Sequence, residues 1–433
     1  MGFDQNRPAG AMDEGTLLSL AWHIVGRLEE RGWRAWLVGG CVRDRLLGRP
    51  LKDVDIATSA RPEDVMALFE RTEPTGLAHG TVTVILRGRP FEVTTLRTEG
   101  GYSDGRRPDE VRFIDDIRED LARRDFTINA MALARDGGLV DPFGGRRDLE
   151  NRILRAVGDP RQRFGEDALR MLRAVRFAAE YGLSVEPGTW QAILAMAPRI
   201  GLVAAERVRM ELERMTEGAD PARGYRMLRD SGLYAHFRAP LPLDRLPEQP
   251  DRTLAGMAEA ADGTVRWTRL FEAIGLDSGE AAGLMRRLTF SNRKTADVAG
   301  ALAFGAGANA FAGRTDGEAS RAFKRLVLRH GPRTAERWLM ARSVAPDADR
   351  AFLEAARRWL AEMPAREPKE LAAGGRDLIR AGLAPGPAVG RILEKLLEGV
   401  ALGELDNRRE LLVSKALEMA RAGTESPEGE SGR

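Results

Sequence analysis

The order of hydrophobic and polar positions divides the chain into two parts. Residues 17–30 carry apolar side chains at helical spacing. The segments AWLVG, TVTVIL and FEVTTL, at 35–39, 81–86 and 91–96, have the alternating or β-branched character of strands. Such strand signals are concentrated before about residue 145, so we expect a sheet together with helices in this first part.

After residue 145 the pattern predicts one helix after another. The segments with helical apolar spacing are EDALRMLRAVRFAAEYG, VAAERVRMELERM, GYRMLRDSGLY, SRAFKRLVLRHG, DRAFLEAARRWLAEM and VGRILEKLLEGV. Proline-rich or glycine-rich stretches at 241–252, 304–318 and 363–370 indicate breaks between helices. The simplest expectation is an α/β head followed by an all-helical body.

Composition adds limits to this picture. A chain of 433 residues is too long for one ordinary core, so several domains are expected. A hydrophobic content of 43% and a charged content of 30% are typical of a soluble globular protein. The formal net charge of +2 neither requires nor excludes a polyanionic partner, since the placement of basic side chains decides that.

The single cysteine, Cys41, cannot form an internal disulfide, and it indicates a reducing compartment. Its apolar neighbours favour a small side chain in the core. The first residues lack a charged segment followed by an apolar one, and no apolar run reaches 18 residues. We therefore expect a cytoplasmic protein without a membrane partner.

A pair of glycines, Gly39 and Gly40, ends the strand AWLV and precedes the short helical segment CVRDRLL. This order predicts unpaired backbone N–H groups at a helix N-terminus, with Arg43 one turn into the helix. Such a turn suits an anionic phosphate. Taken alone, the same pattern also fits the plain packing of a strand against a helix.

Two carboxylates follow in DVDIAT. On a strand, Asp53 and Asp55 would point to the same side. Carboxylates that close repel each other unless a cation lies between them, and oxygen ligands favour Mg²⁺ or Mn²⁺. Glu92 in FEVTTLR is a candidate third acid on a later strand. The alternatives are a solvated edge strand for the aspartates and an exposed strand glutamate for Glu92.

The segment RRDFTINAMAL, at 123–133, predicts a helix with Asp125 as its cap. At a spacing of four residues, Asp125 and Asn129 would share one helical face. Beside a nucleotide, this face would hydrogen-bond ribose hydroxyls, and Arg124 would meet phosphate or sugar. An ordinary capped helix is the alternative.

The segment EDALRMLRAVRF, at 166–177, carries Asp167 and Arg170 at a spacing of three residues. Arg173 and Arg176 would continue the same row of one helix. A surface row of weak ion pairs is the ordinary interpretation.

A sharper hypothesis comes from the edges of the nucleobases. Cytosine and adenine both present an amino donor beside a ring-nitrogen acceptor, whereas guanine and uracil present a carbonyl beside a ring N–H. An aspartate that accepts from the amino group and an arginine that donates to the ring nitrogen fit the first pair and reject the second. An unpaired buried polar group costs about 1–3 kcal/mol, which is enough to discriminate. Asp167 and Arg170 would then act as a protein template for C and A.

Four motifs in order resemble one family, the class II nucleotidyltransferases, which comprise tRNA CCA-adding enzymes and bacterial poly(A) polymerases. The motifs are LVGGCVRDRLLGRPLKDVDIAT, RRDFTINAMAL, DPFGGRRDLENRILRAVGDP and EDALRMLRAVRF. The resemblance spans about residues 35–215. It implies a head of the DNA polymerase β-like nucleotidyltransferase fold, followed by all-helical neck, body and tail domains that grip tRNA.

The expected domain bounds are 1–146 for the catalytic head, 147–215 for the neck, 216–345 for the body and 346–422 for the tail, with 423–433 disordered. The resemblance also implies a role for each candidate residue. Asp53 and Asp55 would hold Mg²⁺ or Mn²⁺, with Glu92 as a catalytic acid. The nucleotide would be bound by Gly39, Gly40, Arg43, Arg124, Asp125, Asn129, Asp167, Arg170, Arg173 and Arg176.

The implied activity is addition of CMP and AMP, from CTP and ATP, to the tRNA 3′ end without a nucleic-acid template and without an obligate protein partner. The alternatives within the family are a poly(A) polymerase and a CC-only or A-only enzyme. Residues 95–113 resemble the intact flexible loop of enzymes that add the terminal A. A non-catalytic RNA-binding protein is the alternative from another class.

Overall fold

The computed structural model describes residues 14–100, 110–260 and 262–424. The chain forms two units. The first comprises the residues up to Met215 together with Met227–Leu241, and the second comprises Thr216–Arg226 together with the residues from Pro242 onward. A head with a mixed sheet, followed by helices, is the fold class that the sequence predicts.

A seven-stranded mixed sheet organises the first unit. The strands of the described residues are β1 Ala35–Val38, β2 Asp55–Thr58, β3 Thr72–Gly76, β4 Thr81–Leu86, β5 Arg89–Thr95, β6 Arg97–Gly100, β7 Glu110–Phe113, β8 Ala132–Leu133, β9 Leu139–Val140, β10 Ile153–Leu154 and β11 Ser184–Val185. The order in the large sheet is β3-β4-β5-β2-β1-β8-β9. Only the β2–β5 pairing in this sheet is parallel among the described strands, so β2 and β5 present corresponding ends at the same edge.

Helices precede, flank and follow this sheet. They are α1 Glu14–Glu29, α2 Gly40–Leu46, α3 Pro62–Leu68, α4 Ile117–Ala122, α5 Gly145–Glu150, α6 Pro160–Glu166, α7 Leu169–Tyr181, α8 Pro187–Met196, α9 Ala205–Glu217 and α10 Pro221–Asp230. Alternate apolar residues of the strands are buried in the sheet, including Leu37, Ile56 and Val93.

Helices are the only regular secondary structure in the described residues of the second unit. Its helices continue as α11 Pro250–Thr253, α12 Gly263–Ala273, α13 Ser278–Arg287, α14 Asn292–Ala308, α15 Gly317–His330, α16 Pro332–Ser343, α17 Arg350–Ala361, α18 Gly375–Arg380, α19 Pro387–Ala401 and α20 Arg409–Thr424. Aromatic side chains fill one core: Phe304, Phe323, Trp338, Phe352 and Trp359. Aliphatic side chains of α18, α19 and α20 form another. These faces are the helical stripes that the sequence predicts.

Most predicted elements are confirmed within a few residues, and the differences have local causes. The predicted break at 304–318 is wrong for its first residues, because α14 continues to Ala308. The predicted disordered segment begins too early, since α20 extends to Thr424, and 425–433 lie outside the described residues. The central part of the predicted flexible loop, 101–109, also lies outside them, and β6 and β7 flank it. Cys41 is buried, as predicted.

No helix in the part of the chain that the structure describes is long and apolar enough to cross a membrane.

Candidate active site

The glycine turn lies where β1 passes into α2. Gly39 has φ +74° and ψ −130°, a conformation that L side chains rarely adopt, and α2 begins at Gly40. A Cβ atom on Gly39 would lie 2.8 Å from Nη1 of Arg124 and 4.0 Å from Oδ2 of Asp55. Absence of a side chain therefore lets this backbone approach both a guanidinium and a carboxylate.

The carboxylates gather at the adjacent edge of the sheet. Asp55 is the first residue of β2, whereas Asp53 lies before the strand, so the expectation that both share one strand is wrong. Ile56 pairs with Val93 across the parallel β2–β5 ladder, which places Glu92 beside Asp55 on the same face. Asp53 and Glu92 are exposed.

These acids raise one another's energy. Burial raises the pKa of Asp55, and the charges of Asp53 and Glu92 raise it further, to about 6, although Arg124 opposes them. A bound cation would remove this repulsion. In the described ranges 14–100, 110–260 and 262–424, no three acidic, histidine or cysteine side chains are arranged to hold a metal ion together. Proteins usually bind Mg²⁺ through one or two carboxylates alongside substrate phosphates, and Asp53 and Asp55 are two such carboxylates close together in sequence.

Arg124 presents an unused donor beside the turn. Its Nη2 donates to Asp120 at 3.3 Å, and Asp120 is buried on α4. Its Nε is buried without a hydrogen-bond partner among the described residues. An unpaired buried donor is costly, and an anionic oxygen would satisfy it.

The segment 123–133 does not form the predicted helix. Phe126 is extended and pairs with Ala156, so only a single 3₁₀ turn, Thr127–Asn129, follows it. Asp125 therefore does not cap a helix. The two side chains nevertheless meet, because Asn129 Nδ2 donates to Asp125 Oδ1 at 3.0 Å. Gly145 allows this close packing, since a Cβ there would lie 2.1 Å from the Thr127 carbonyl oxygen.

Asp125 is fully engaged in this turn. Its Oδ2 accepts from Nε and Nη2 of Arg173 at 2.9 and 2.7 Å, and its Oδ1 accepts from the Phe126 N–H at 2.8 Å. Burial favours the neutral form, but the charge of Arg173 and the hydrogen bonds from Asn129 and Arg173 lower the pKa of Asp125 to about 2. Asp125 is thus a fixed carboxylate at any physiological pH.

Arg43 lies between the glycine turn and α7. Its Nη1 donates to Asn129 Oδ1 at 2.6 Å, and its Nε and Nη2 donate to Asp44. The guanidinium lies 4.3 Å from the ring centre of Tyr181 and 5.2 Å from that of Phe177. Sequence reasoning missed these two aromatic residues, although their spacing of four residues places both on one face of α7.

The segment 166–177 is not one helix. It breaks at Asp167, where the backbone is extended between α6 and α7. Asp167 pairs with Arg207 on α9, and Arg170 pairs with Glu166 at 2.7 Å and donates to the Arg123 carbonyl at 3.0 Å. The ordinary interpretation as a surface row of i,i+3 pairs is therefore wrong, because these partners lie on different elements.

Glu211 on α9 joins the remaining arginines. Its carboxylate, only 3% exposed, accepts from Arg176 Nε at 2.6 Å and from Arg173 Nη1 at 3.5 Å. Arg176 is also buried and pairs with Glu180. Sequence reasoning missed Arg207 and Glu211, whose spacing of four residues on α9 was the available signal.

Three family models match: the poly A polymerase head domain over residues 35–155, the RNA and SrmB binding site of polymerase A over 182–240, and the tRNA nucleotidyltransferase domain 2 over 259–416. The CCA-adding enzyme of Limosilactobacillus fermentum is 39% identical over 403 residues, which cover 92% of this chain and 96% of that relative. The chain belongs to the CCA-adding enzyme family.

Other members of the family are similar over the same extent. The CCA-adding enzyme of Geobacillus stearothermophilus is 39% identical over 401 residues, covering 92% of this chain and 96% of the relative. The crystal structure of the Bacillus stearothermophilus CCA-adding enzyme in complex with CTP has a TM-score of 0.79 at 35% identity, covering 94% of this chain and 98% of that one. The likeness extends over head and helical parts alike.

Proposed function

We propose that this protein adds CMP and AMP, from CTP and ATP, to the 3′ end of tRNA to build or repair the CCA terminus. The observation that carries the proposal is the convergence of Asp55, the glycine turn and Arg124 at one sheet edge in a chain of the CCA-adding enzyme family. In this reaction the terminal ribose oxygen bonds to the α-phosphorus, the bond to the β-phosphate breaks, and pyrophosphate leaves.

Asp53 and Asp55 would hold Mg²⁺ or Mn²⁺. A divalent cation, when bound, lowers the pKa of the attacking hydroxyl and neutralises charge on the leaving pyrophosphate. The repulsion that raises the pKa of Asp55 supports this assignment. Glu92 would be the third acidic residue of the catalytic site, because it lies beside Asp55 at the same sheet edge.

The turn and Arg124 would bind the triphosphate. Backbone N–H groups at the start of α2 and the unpaired Nε of Arg124 are the donors that an anionic oxygen needs. Arg43, held against Gly40, would complete the cradle. Asn129, fixed by Asp125, would bind the ribose.

Asp167 and Arg170 would read the base. The carboxylate accepts from the amino group of cytosine or adenine, and the guanidinium donates to the adjacent ring nitrogen, whereas uracil and guanine would leave both groups mismatched. Arg173 and Arg176 would support the nucleotide indirectly, through Asp125 and Glu211.

The proposal includes the four-domain division at 146, 215 and 345, with the helical part binding tRNA in the cytoplasm by shape and backbone contacts. The complete template pair and carboxylates favour catalysis over a purely RNA-binding role.

The activity is tested by incubating the protein with tRNA lacking CCA, tRNA ending in CC, and an unstructured RNA, each with labelled CTP or ATP. We expect CMP and AMP incorporation on the first and AMP incorporation on the second. Asp55→Ala should lower incorporation at least about 1000-fold while tRNA affinity is kept. Long A tracts on unstructured RNA alone would instead identify a poly(A) polymerase.

A further inference from the structure

Arg207 on α9 donates hydrogen bonds to both carboxylate oxygens of Asp167. Its Nη1 lies 3.1 Å from Oδ1 and its Nη2 lies 2.7 Å from Oδ2. Such a two-point contact fixes the plane of the carboxylate as well as its position. Both side chains are mostly but not completely buried, with 22% of the Arg207 side chain and 16% of the Asp167 side chain exposed.

Among the described residues, the partners of Asp167 leave a single acceptor position open. Oδ1 accepts from Arg207 and also from the Leu169 N–H at 3.1 Å. Oδ2 accepts from Arg207. Each carboxylate oxygen offers about two lone pairs, so one position on Oδ2 remains in this arrangement.

Arg170 is restrained in a similar way on the other side. Its Nη1 donates to Glu166 Oε2 at 2.7 Å and to the Arg163 carbonyl at 3.2 Å, and its Nη2 donates to the Arg123 carbonyl at 3.0 Å. The acceptor and the donor of the template pair are therefore each held by partners that a nucleotide does not supply.

We propose that Arg207 is a specificity-determining positioning residue, which restricts Asp167 to one acceptor position and so prevents it from reading uracil or guanine. The proposal rests on the proposed template role of Asp167 and Arg170. A carboxylate free to rotate would accept from the ring N–H of uracil or guanine, while Arg170 would donate to the neighbouring carbonyl. Arg207 prevents this alternative pairing, because its two contacts occupy Oδ1 and fix the plane of the carboxylate.

The test compares Arg207→Gln, Arg207→Lys and Arg209→Gln. Arg209 lies on the same helix and pairs with Glu213, so it is the matched control. Single-nucleotide incorporation on tRNA lacking CCA is measured with CTP and with UTP, and kcat and KM are determined separately. Thermal unfolding of each variant is recorded in parallel.

We expect Arg207→Gln to lower the preference for CTP over UTP about 10-fold, through a higher KM for CTP and a gain in UTP use, with kcat for CTP changed less than about 3-fold. Arg207→Lys restores charge without the two-point contact, so its preference should lie between those of wild type and Arg207→Gln. Arg209→Gln should stay within about 2-fold of wild type.

Asp167→Ala distinguishes a failure of the role inferred for Arg207 from a failure of the proposed template role. If Asp167→Ala relaxes the preference and Arg207→Gln lowers CTP and UTP use in equal proportion, Arg207 has only a structural role and the inference is wrong. If Asp167→Ala itself leaves the preference unchanged, the template role fails.

Discussion

The two ends of the site treat charge in opposite ways. At the carboxylate end, defined by Asp53, Asp55 and Glu92, like charges face one another, and burial together with these charges raises the pKa of Asp55 to about 6. At the base end, defined by Asp125, Asp167, Arg170, Arg173, Arg207 and Glu211, every carboxylate has an arginine partner. There the pKa of Asp125 falls to about 2.

Under the proposed function, this difference corresponds to what each end would bind. A cation at the carboxylate end would relieve the repulsion, so strain in the free protein would become affinity for metal. The base end would read hydrogen-bond patterns, and discrimination requires donors and acceptors whose positions are fixed before the base binds. The opposite charge arrangements would then serve one reaction.

Replacing one aspartate at each end should change stability in opposite directions. In metal-free buffer at pH 7.5, Asp55→Asn should raise the free energy of unfolding by up to about 3 kcal/mol, because it removes a carboxylate whose pKa is raised by about two units. Asp125→Asn should lower it by about 2–3 kcal/mol, because Arg173 loses the charge of the nearer of its two buried partners. Urea unfolding measures both, and changes of the same sign would contradict the comparison.

The pH dependence of these effects has opposite signs. The folded-state pKa of Asp55 is raised, so its penalty is present above about pH 6 and disappears as the pH falls toward its ordinary value of 3.8. The folded-state pKa of Asp125 is lowered, so its contribution is present above that ordinary value and is lost as the pH falls toward about 2. Between pH 7.5 and pH 4, the difference in free energy of unfolding between wild type and Asp55→Asn should therefore shrink. The difference between wild type and Asp125→Asn should stay nearly constant over the same range, and unfolding curves at each pH measure both.

A methyl group at the glycine turn should damage the carboxylate end. Gly39→Ala forces an alanine into a left-handed backbone region and pushes Arg124 away from the turn, so we expect KM for both nucleotides to rise about 30-fold. Gly48→Ala is the matched control, because Gly48 also has positive φ, +64°, with open space around it. Steady-state kinetics with CTP and ATP measure the KM of both variants. An equal rise in KM for Gly39→Ala and Gly48→Ala would mean that backbone strain alone causes the effect.

Metal affinity should depend on pH because Asp55 titrates near 6. Below that value Mn²⁺ binding to the free protein should weaken about 10-fold per pH unit, as protons compete for the carboxylate. Glu92→Gln removes one repelling charge, so the midpoint of the profile should move to lower pH. Electron paramagnetic resonance of free Mn²⁺ measures the affinity of wild type and of Glu92→Gln at each pH. If Glu92→Gln binds Mn²⁺ more weakly than wild type by the same factor at every pH, Glu92 is itself a ligand.

Residue patterns predicted the secondary-structure elements of the first unit better than they predicted the contacts between those elements. The strands at 35–38 and 81–86, the helix start at Gly40, and the candidate pair Asp125 and Asn129 follow from periodicity and spacing over a few residues. The helix predicted over 123–133 failed because Phe126 pairs with Ala156, a strand partner 30 residues away that local spacing does not show.

Local sequence thus determined the order of elements, the need for glycine at position 39, and the residue types available for the proposed binding of metal, phosphate and base. Tertiary structure alone decided which charges meet. Asp167 could have paired with Arg170 within one helix, yet a break in the backbone turns it toward Arg207 on α9. The reason is that periodicity arises from contacts within one turn or one strand, whereas pairing across elements depends on where the whole chain places them.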